Sequence, residues 1–565
     1  MLASVMRAVV SCVVLVCVLR VRTALTDGRP SRVVHIDQGP VRGYRDPDYD
    51  VFTFHSIPYA TAPTGTDRFK APQPPPVWQE PLEAVNKDII CPQFIFPHKL
   101  KDQNAQEDCL IANIYVPDTE ADNIPVVVYV HSGGYALGFG DMVNPRPLVN
   151  TKKVIIVTFN YRLAGHGFLC LGTEDIPGNA GSKDQVALLR WVRKNIASFG
   201  GNPDDVTLIG SSAGSSSVDL LMLSKMSRGL FNKVVPESGA NVAAFSTQPD
   251  PIRAAKVYAK LMGNDKNFND VYELEDFFKS VSVAKLNSVF TLNNTDATAL
   301  VGPCVERDIG QERFLDDSPV NIIKSGDYPK VPMLYGFSNM EGLIRIGMMG
   351  SQVKSDMEMM EKNFSNFLPA DLAFENQDER NKVANKIKKF YFGNKIDEED
   401  VFDYINYFSD TFFTYSTLRA INLHLNNEHN NIYLYEYSFT DINTIPVPYT
   451  KVFGASHYTQ SAAIWGEDPI YNIEKTCDEY EKMRNIMREI WINFITTGKP
   501  VPEGSDLPEW PAVGRKWSPH MSLGRAVELR GSLLKERALF WEEIYAHHYR
   551  SPQPPPTPPP KRTEL

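Results

Sequence analysis

Val206-Thr207-Leu208-Ile209-Gly210-Ser211-Ser212-Ala213-Gly214-Ser215 reads as a short apolar strand, a tight turn and the first residues of a helix. Gly210, Ser212 and Gly214 stand two apart within the turn. A serine held on a sharp strand-to-helix turn has a strained backbone, and its neighbours two positions away must be nearly free of side chain. The Ser212 hydroxyl then stands clear of the chain, and the Ala213 N–H faces the same space. A helix starting there adds a positive dipole end, which suits a developing oxyanion. At about 7% usage for each residue, the triplet alone arises by chance roughly once in three thousand positions. The surrounding chain therefore decides the reading.

Upstream, Val126-Val127-Val128-Tyr129-Val130 and Val154-Ile155-Ile156-Val157-Thr158-Phe159 are apolar runs with almost no polar alternation. Such runs suit strands buried on both faces, as in a parallel sheet covered by helices. Asp184 to Phe199 is predicted helical: Val186, Leu189, Val192, Ile196 and Phe199 recur at three-to-four spacing, and Gly200-Gly201 ends it. Strand, helix, strand, turn, helix is an α/β pattern. Val33 to Phe54 alternates and turns like an antiparallel N-terminal sheet. Further on, Pro251–Met262, Arg380–Tyr391, Asp478–Phe494 and Leu533–Tyr549 are predicted helices, and the weakly patterned stretch from Asn264 to Phe314 is read as a cap over the site.

The 565 residues are 43% hydrophobic, enough for one large domain over residues 25–550. A net charge of −10 without a basic stripe excludes nucleic acid as a natural partner. Met1 to about Ala24 reads as a secretory signal, with Arg7 before the apolar run Ala8–Leu19; Arg20 and Arg22 leave a retained anchor as the alternative. No later run is long enough to span a bilayer. Outside the leader stand Cys91, Cys109, Cys170, Cys304 and Cys477, an odd number, so at least one thiol has no partner within the chain. Cys91 and Cys109 flank a polar loop and are read as a disulfide; Cys170 is read as a buried free thiol. Asn293 and Asn363 head glycosylation sequons, relevant to an exported chain. Residues 551–565 are proline-rich and read as a mobile, disordered tail. That tail ends in Arg562-Thr563-Glu564-Leu565, faintly similar to an endoplasmic-reticulum retrieval signal.

A serine that attacks a carbonyl needs a base, an orienting acid and oxyanion donors. His131-Ser132-Gly133-Gly134-Tyr135 follows the Val126–Val130 strand and supplies a glycine-rich loop. The N–H groups of Gly133, Gly134 and Ala213 are assigned as donors. The acid and then the histidine should follow the serine in the chain. Glu341, just past the apolar Val331–Tyr335 strand, is the acid candidate, and His457 in Gly454-Ala455-Ser456-His457 is the base candidate.

Ile57-Pro58-Tyr59-Ala60, Arg68-Phe69, Glu107-Asp108-Cys109-Leu110, Asn160-Tyr161-Arg162-Leu163, Gly178-Asn179-Ala180-Gly181, Asp184-Gln185, Phe199-Gly200-Gly201-Asn202-Pro203 and Ser212-Ala213-Gly214 together resemble the type-B carboxylesterases of the cholinesterase/carboxylesterase family, nearly from Val33 to Tyr549. Leu220–Ser224 and Pro236-Glu237-Ser238-Gly239-Ala240 resemble insect members, of the moth antennal and general carboxylesterase type. The resemblance implies an α/β-hydrolase fold, with a large, mostly parallel sheet covered by helices on both faces. It implies Ser212 as nucleophile, His457 as base and then acid, Glu341 as its orienting carboxylate, and the Cys91–Cys109 disulfide. The family's second, short-loop disulfide has no matching pair here.

Three positions depart from the family pattern. Ser211 stands where Glu is common, and where juvenile hormone esterases carry Gln. Ser132 replaces the first glycine of the oxyanion loop, outside the assigned donors. Gln460 replaces an acid three residues after the histidine, which should leave the imidazolium slightly less stabilised. No tryptophan lies between Cys91 and Cys109 to hold a choline-like cation. The expected activity is hydrolysis of neutral carboxylic esters (odorant or pheromone, dietary or xenobiotic) through an acyl-enzyme, without metal or cofactor. A juvenile hormone esterase and a non-catalytic adhesion protein on the same fold are the alternatives.

Overall fold

The computed structural model describes residues 28–94, 104–289, 295–349, 352–441, 444, 446–447, 450–466 and 477–559. The leader, Asn293 and Arg562–Leu565 lie outside the described residues.

The chain opens with an antiparallel meander, β1 (Ser31–Ile36), β2 (Gly39–Arg45) and β3 (Val51–Pro58), as its alternation predicts. Two-residue β4 (Leu82–Glu83) pairs with β2, while β5 (Ile89–Ile90) and β6 (Asn104–Ala105) pair with each other. The sheet continues with β7 (Ile111–Pro117), β8 (Ile124–Val130), β9 (Ile155–Phe159), β10 (Gly201–Ser211), β11 (Lys233–Glu237), β12 (Met333–Ser338), β13 (Ile432–Tyr437), β14 (His520–Leu523) and β15 (Val527–Arg530). Their order is β1-β2-β3-β7-β9-β8-β10-β11-β12-β13-β14-β15. From β9 to β14 every neighbour is parallel, and both flanks are antiparallel. This is the mostly parallel central sheet that the apolar runs predict.

Alternation along β8 shows how the sheet is buried twice over. Val126, Val128 and Val130 join Val186, Leu189 and Val192 of helix α1 (Ala180–Asn195) in one core. Val127 and Tyr129 join the opposite core with Met487, Trp491 and Phe494 of helix α7 (Asp478–Thr497). Successive strand side chains point to opposite faces, so a strand between two helical layers must be apolar at both. Between these helices in sequence lie α2 (Ala213–Leu223), α3 (Pro251–Leu261), α4 (Val271–Ser280), α5 (Gln377–Phe392) and α6 (Thr459–Trp465); α8 (Lys535–His548) follows α7. The predicted helices over 251–262, 380–391, 478–494 and 533–549 are α3, α5, α7 and α8 with ends shifted by a few residues.

Behind the sheet, Arg162 donates through Nε and Nη2 to Asp184 at 2.8 and 2.6 Å, and Lys183 pairs with Glu306 at 2.6 Å. All four side chains are buried. Asn179 Nδ2 also donates to Glu306 Oε1 and to the Cys304 carbonyl, both at 2.8 Å.

One reading needs correction here. Cys91 pairs with Cys109 as expected, but Cys170 is not a free thiol: it is bridged to Cys304. The partners lie 134 residues apart, and only the fold brings them together. A Cβ on Gly178 would meet both sulfurs at 2.7 Å, so the glycine makes room for the bridge. Cys477 keeps its thiol. Residues 551–559 of the proline-rich tail are irregular, as prolines require. Pro552 and Pro555 are buried, and Ser551 Oγ donates to Ser318 Oγ at 2.7 Å.

The weakly patterned 264–314 stretch contains α4 and the four-residue helix Val283–Leu286. The Arg68 guanidinium ties it down by donating to the carbonyls of Phe278, Lys279 and Val281. Its end reaches the glycine-rich loop after β8: a Cβ on Gly302 would stand 3.3 Å from the Phe245 carbonyl and 3.6 Å from the Tyr135 ring.

Candidate active site

Parallel strands end together, and four of them end at the candidate site. Ser212 follows β10 with φ 57°, ψ −121° and opens α2. A non-glycine residue at positive φ costs of order 1–3 kcal/mol and persists only where the surroundings enforce it. Here the Ser212 N–H donates to the Glu237 carbonyl at 2.8 Å. Gly210 and Gly214 are needed for space. A Cβ on Gly210 would stand 2.2 Å from the Gly214 carbonyl, and one on Gly214 would stand 2.1 Å from the Val130 carbonyl. That second contact presses the turn against the end of β8, where the Gly133–Gly134 loop begins.

In that loop Gly133 and Gly134 have φ 113° and 62°, values that favour glycine. Among the described residues their N–H groups have no hydrogen-bond acceptor. Ala213, as the first residue of α2, has no acceptor one turn back. The φ of Ser132 lies outside the left-handed region, so a serine fits where the family places glycine. The Ser132 carbonyl engages His131 Nδ1 at 2.8 Å.

Glu341 lies three residues beyond β12, fully buried. Its Oε2 meets His457 Nδ1. Its Oε1 accepts from Ser238 Oγ at 2.5 Å and from the Ser338 N–H at 2.7 Å. Ser238 is the residue after Glu237. Two consecutive residues at the end of β11 therefore hold both Ser212 and Glu341. With Nδ1 engaged, Nε2 is the imidazole nitrogen left to meet a hydroxyl.

The three departures have distinct environments. Ser132 adapts by its backbone, as described above. Ser211 is buried, and its Oγ has no partner among the described residues. Gln460, fully buried on α6, donates through Nε2 to Ser238 Oγ and accepts at Oε1 from Ser338 Oγ at 2.6 Å. The amide thus links the same two serines that hold Glu341.

Sequence reasoning misses the roles of Ser238 and Ser338 and the aromatic wall. The Phe413 ring stacks on the His457 ring at 4.2 Å between centroids and 25° between planes, and Phe245 packs edge-on to Phe413 at 5.7 Å. Phe413 lies in a π-helical turn, Asp410–Thr414, a form frequent at functional sites. Both serines lie close to the sequence signals, Ser238 within the family-like Pro236–Ala240 and Ser338 three residues before Glu341. Nothing in the sequence marks Phe413.

A buried carboxylate next to the site has no cation among the described residues. Glu237 accepts from Ser461 Oγ at 2.5 Å and from Tyr435 Oη. Burial pushes its carboxyl up to about 7, against the pull of those donors.

A sequence profile of the Carboxylesterase family matches residues 30–541. The chain belongs to this family. It is 33% identical over 485 residues to a carboxylic ester hydrolase of Bombus ignitus, covering 82% of this chain and 84% of that one. It is 32% identical over 512 residues to a juvenile hormone esterase of Heliothis virescens, covering 85% and 88%. The crystal structure of juvenile hormone esterase from Manduca sexta, with OTFP covalently attached, superposes with a TM-score of 0.79 at 28% identity, covering 92% of this chain and 100% of that one. Like these carboxylesterase relatives, the chain has the α/β-hydrolase fold.

Proposed function

We propose that this carboxylesterase hydrolyses neutral carboxylic esters through an acyl-enzyme on Ser212. One observation carries the reading: the buried Glu341–His457 pair is held by the Ser238 hydroxyl, and the residue before it, Glu237, anchors the strained Ser212 turn through its carbonyl. His457 Nε2 takes the Ser212 proton as Oγ attacks the ester carbonyl. The tetrahedral oxyanion takes hydrogen bonds from Gly133, Gly134 and Ala213. The carbonyl reforms, the C–O bond breaks, and His457 passes its proton to the departing alcohol. Water then repeats the sequence on the acyl-enzyme and releases the acid. Glu341 keeps the imidazole in the required tautomer and stabilises its charged form.

Neutral side chains at Ser211 and Gln460, and separately the Phe413 ring stacked on His457 with Phe245 packed against it, support an uncharged, apolar substrate. Odorant or pheromone, dietary and xenobiotic esters fit that description. The juvenile hormone esterases among the relatives give a second reading, a juvenile hormone ester. The test is turnover of a chromogenic acyl series, acetate through long chain, together with a juvenile hormone ester. Wild type and Ser212→Ala are compared. Wild type should turn over at least one series, and Ser212→Ala should lose about 10⁴-fold or more in kcat. Activity surviving in Ser212→Ala overturns the reading. The better of the two substrate types identifies the ester.

Export is proposed from the leader together with the two disulfides, which persist in oxidising compartments. Asn363 is exposed and is proposed, with Asn293, as a glycosylation site. The secreted fraction and its glycosidase-sensitive mass, measured with and without Arg562–Leu565, should show a glycosylated product in the medium. An unglycosylated cytosolic product overturns it, and retention that depends on those four residues places the enzyme in the endoplasmic reticulum.

A further inference from the structure

A primary amide has one donor end and one acceptor end, whereas an ionised carboxylate has acceptors only. That difference gives Gln460 a directional role. Its Nε2 donates to Ser238 Oγ, and its Oε1 accepts from Ser338 Oγ at 2.6 Å. A serine hydroxyl has a single hydrogen. Because Ser238 Oγ accepts from Gln460, that hydrogen is left for Glu341 Oε1, 2.5 Å away. Ser338 gives its hydroxyl hydrogen to Gln460 and its backbone N–H to the same Glu341 Oε1 at 2.7 Å. Oε1 therefore receives two donors, and Oε2 is presented to His457.

We propose that Gln460 is a positioning residue: the polarity of its amide delivers the Ser238 hydrogen to Glu341 and so fixes the carboxylate that orients His457. An acid at this position, once ionised, would draw both serine hydroxyls to itself. Glu341 Oε1 would keep only the Ser338 N–H, and two carboxylates would compete for one hydrogen. Ser238, Ser338, Glu341 and Gln460 are all fully buried, so bulk water cannot supply the missing donor. The titratable groups around them are Glu341, His457, Glu237 on β11 and Tyr435 on β13. The rest of α6 has no titratable side chain. On this account the glutamine is an organised alternative to the acid, and it acts through Ser238 and Glu341 without touching substrate.

The inference rests on the proposed Ser212–His457–Glu341 reading, and the test keeps the two apart. Wild type, Gln460→Glu, Ser238→Ala and the double variant are assayed as full-length enzyme on the best chromogenic ester, with Ser212→Ala as the control. Gln460→Glu should lower kcat about tenfold or more and change KM less than about twofold, since the defect lies in the charged transition state. In the Ser238→Ala background the same change should cost less than about twofold, because no hydrogen remains to be redirected. Should Gln460→Glu fail to fold, Ser238→Ala alone tests the premise, since it removes the hydrogen that Glu341 receives and should itself lower kcat about tenfold. Unchanged kcat in Gln460→Glu, or in Ser238→Ala, overturns the proposal. So does a loss of equal size with and without the Ser238 hydroxyl, which would mean that Gln460 acts by packing or charge alone. Activity surviving in Ser212→Ala, or wild type failing on every ester, overturns the triad reading instead.

Discussion

Asp184 and Glu341 are both fully buried carboxylates, yet their partners differ in kind. Asp184 is gripped by both arms of the Arg162 guanidinium and by the Arg162 backbone N–H, and Glu306 beside it is paired with Lys183. Full cations saturate these groups. Burial pushes the Asp184 carboxyl up and Arg162 opposes it. Glu341 meets no permanent cation among the described residues. Two neutral donors hold one oxygen, and the other faces an imidazole that can gain and lose a proton. A carboxylate paired with arginine ties the chain together. One paired with histidine and neutral donors is held in place while its charge stays available to a changing partner.

The sharpest way to break this contrast is Glu341→Gln. The substitution preserves shape but sets an N–H donor or a neutral oxygen against His457 Nδ1, which disturbs the tautomer. The expected loss is about 10⁴-fold in kcat, with the thermal midpoint nearly unchanged. Steady-state kinetics and a melting curve on one preparation decide it. A loss of stability with kcat preserved would make Glu341 another Asp184.

The reciprocal change is Asp184→Asn. It leaves the Arg162 charge buried with a weaker partner, and it should cost about 3–5 kcal/mol of stability. Below the unfolding transition, kcat/KM of the folded enzyme should stay within about twofold of wild type. Urea titration and assays at low temperature check the two halves. Collapse of kcat without loss of stability would contradict the division of labour.

Much of the frame around these carboxylates is legible in the sequence. The double burial of β8 follows from an unbroken apolar run, and the Ser212 turn from glycines whose absent Cβ atoms would collide with carbonyls. Glu341 and His457 need chain order and family resemblance, because a single acid or histidine has no periodic signature. The Cys170–Cys304 bridge stays hidden because 134 residues of separation conceal the proximity. Phe413 escapes for a related reason: its stacking on His457 depends on a local π-helical turn that no hydrophobic period encodes.

Glu237 sharpens the contrast from a third side, since its carboxyl is buried against the Tyr435 and Ser461 hydroxyls, with neither cation nor histidine bonded to it among the described residues. Its carboxyl is pushed up to about 7 from an ordinary value of 4.5. Between those values the native protein keeps the proton that the unfolded chain has released. Folding therefore takes up a proton, and stability falls as pH rises from 4.5 to about 7. Below that window both states are protonated and above it both are ionised, so the dependence is confined to it. Glu237→Gln removes it while keeping one acceptor and one donor for the two hydroxyls, and the Ser212 anchor is a backbone carbonyl that the change leaves alone. Relative to wild type, the variant should gain up to about 3 kcal/mol between about pH 4.5 and about pH 8, read from urea unfolding at the two values. A difference that is flat with pH would mean that Glu237 is ionised in the native protein and draws charge support from its surroundings, as Asp184 does from Arg162.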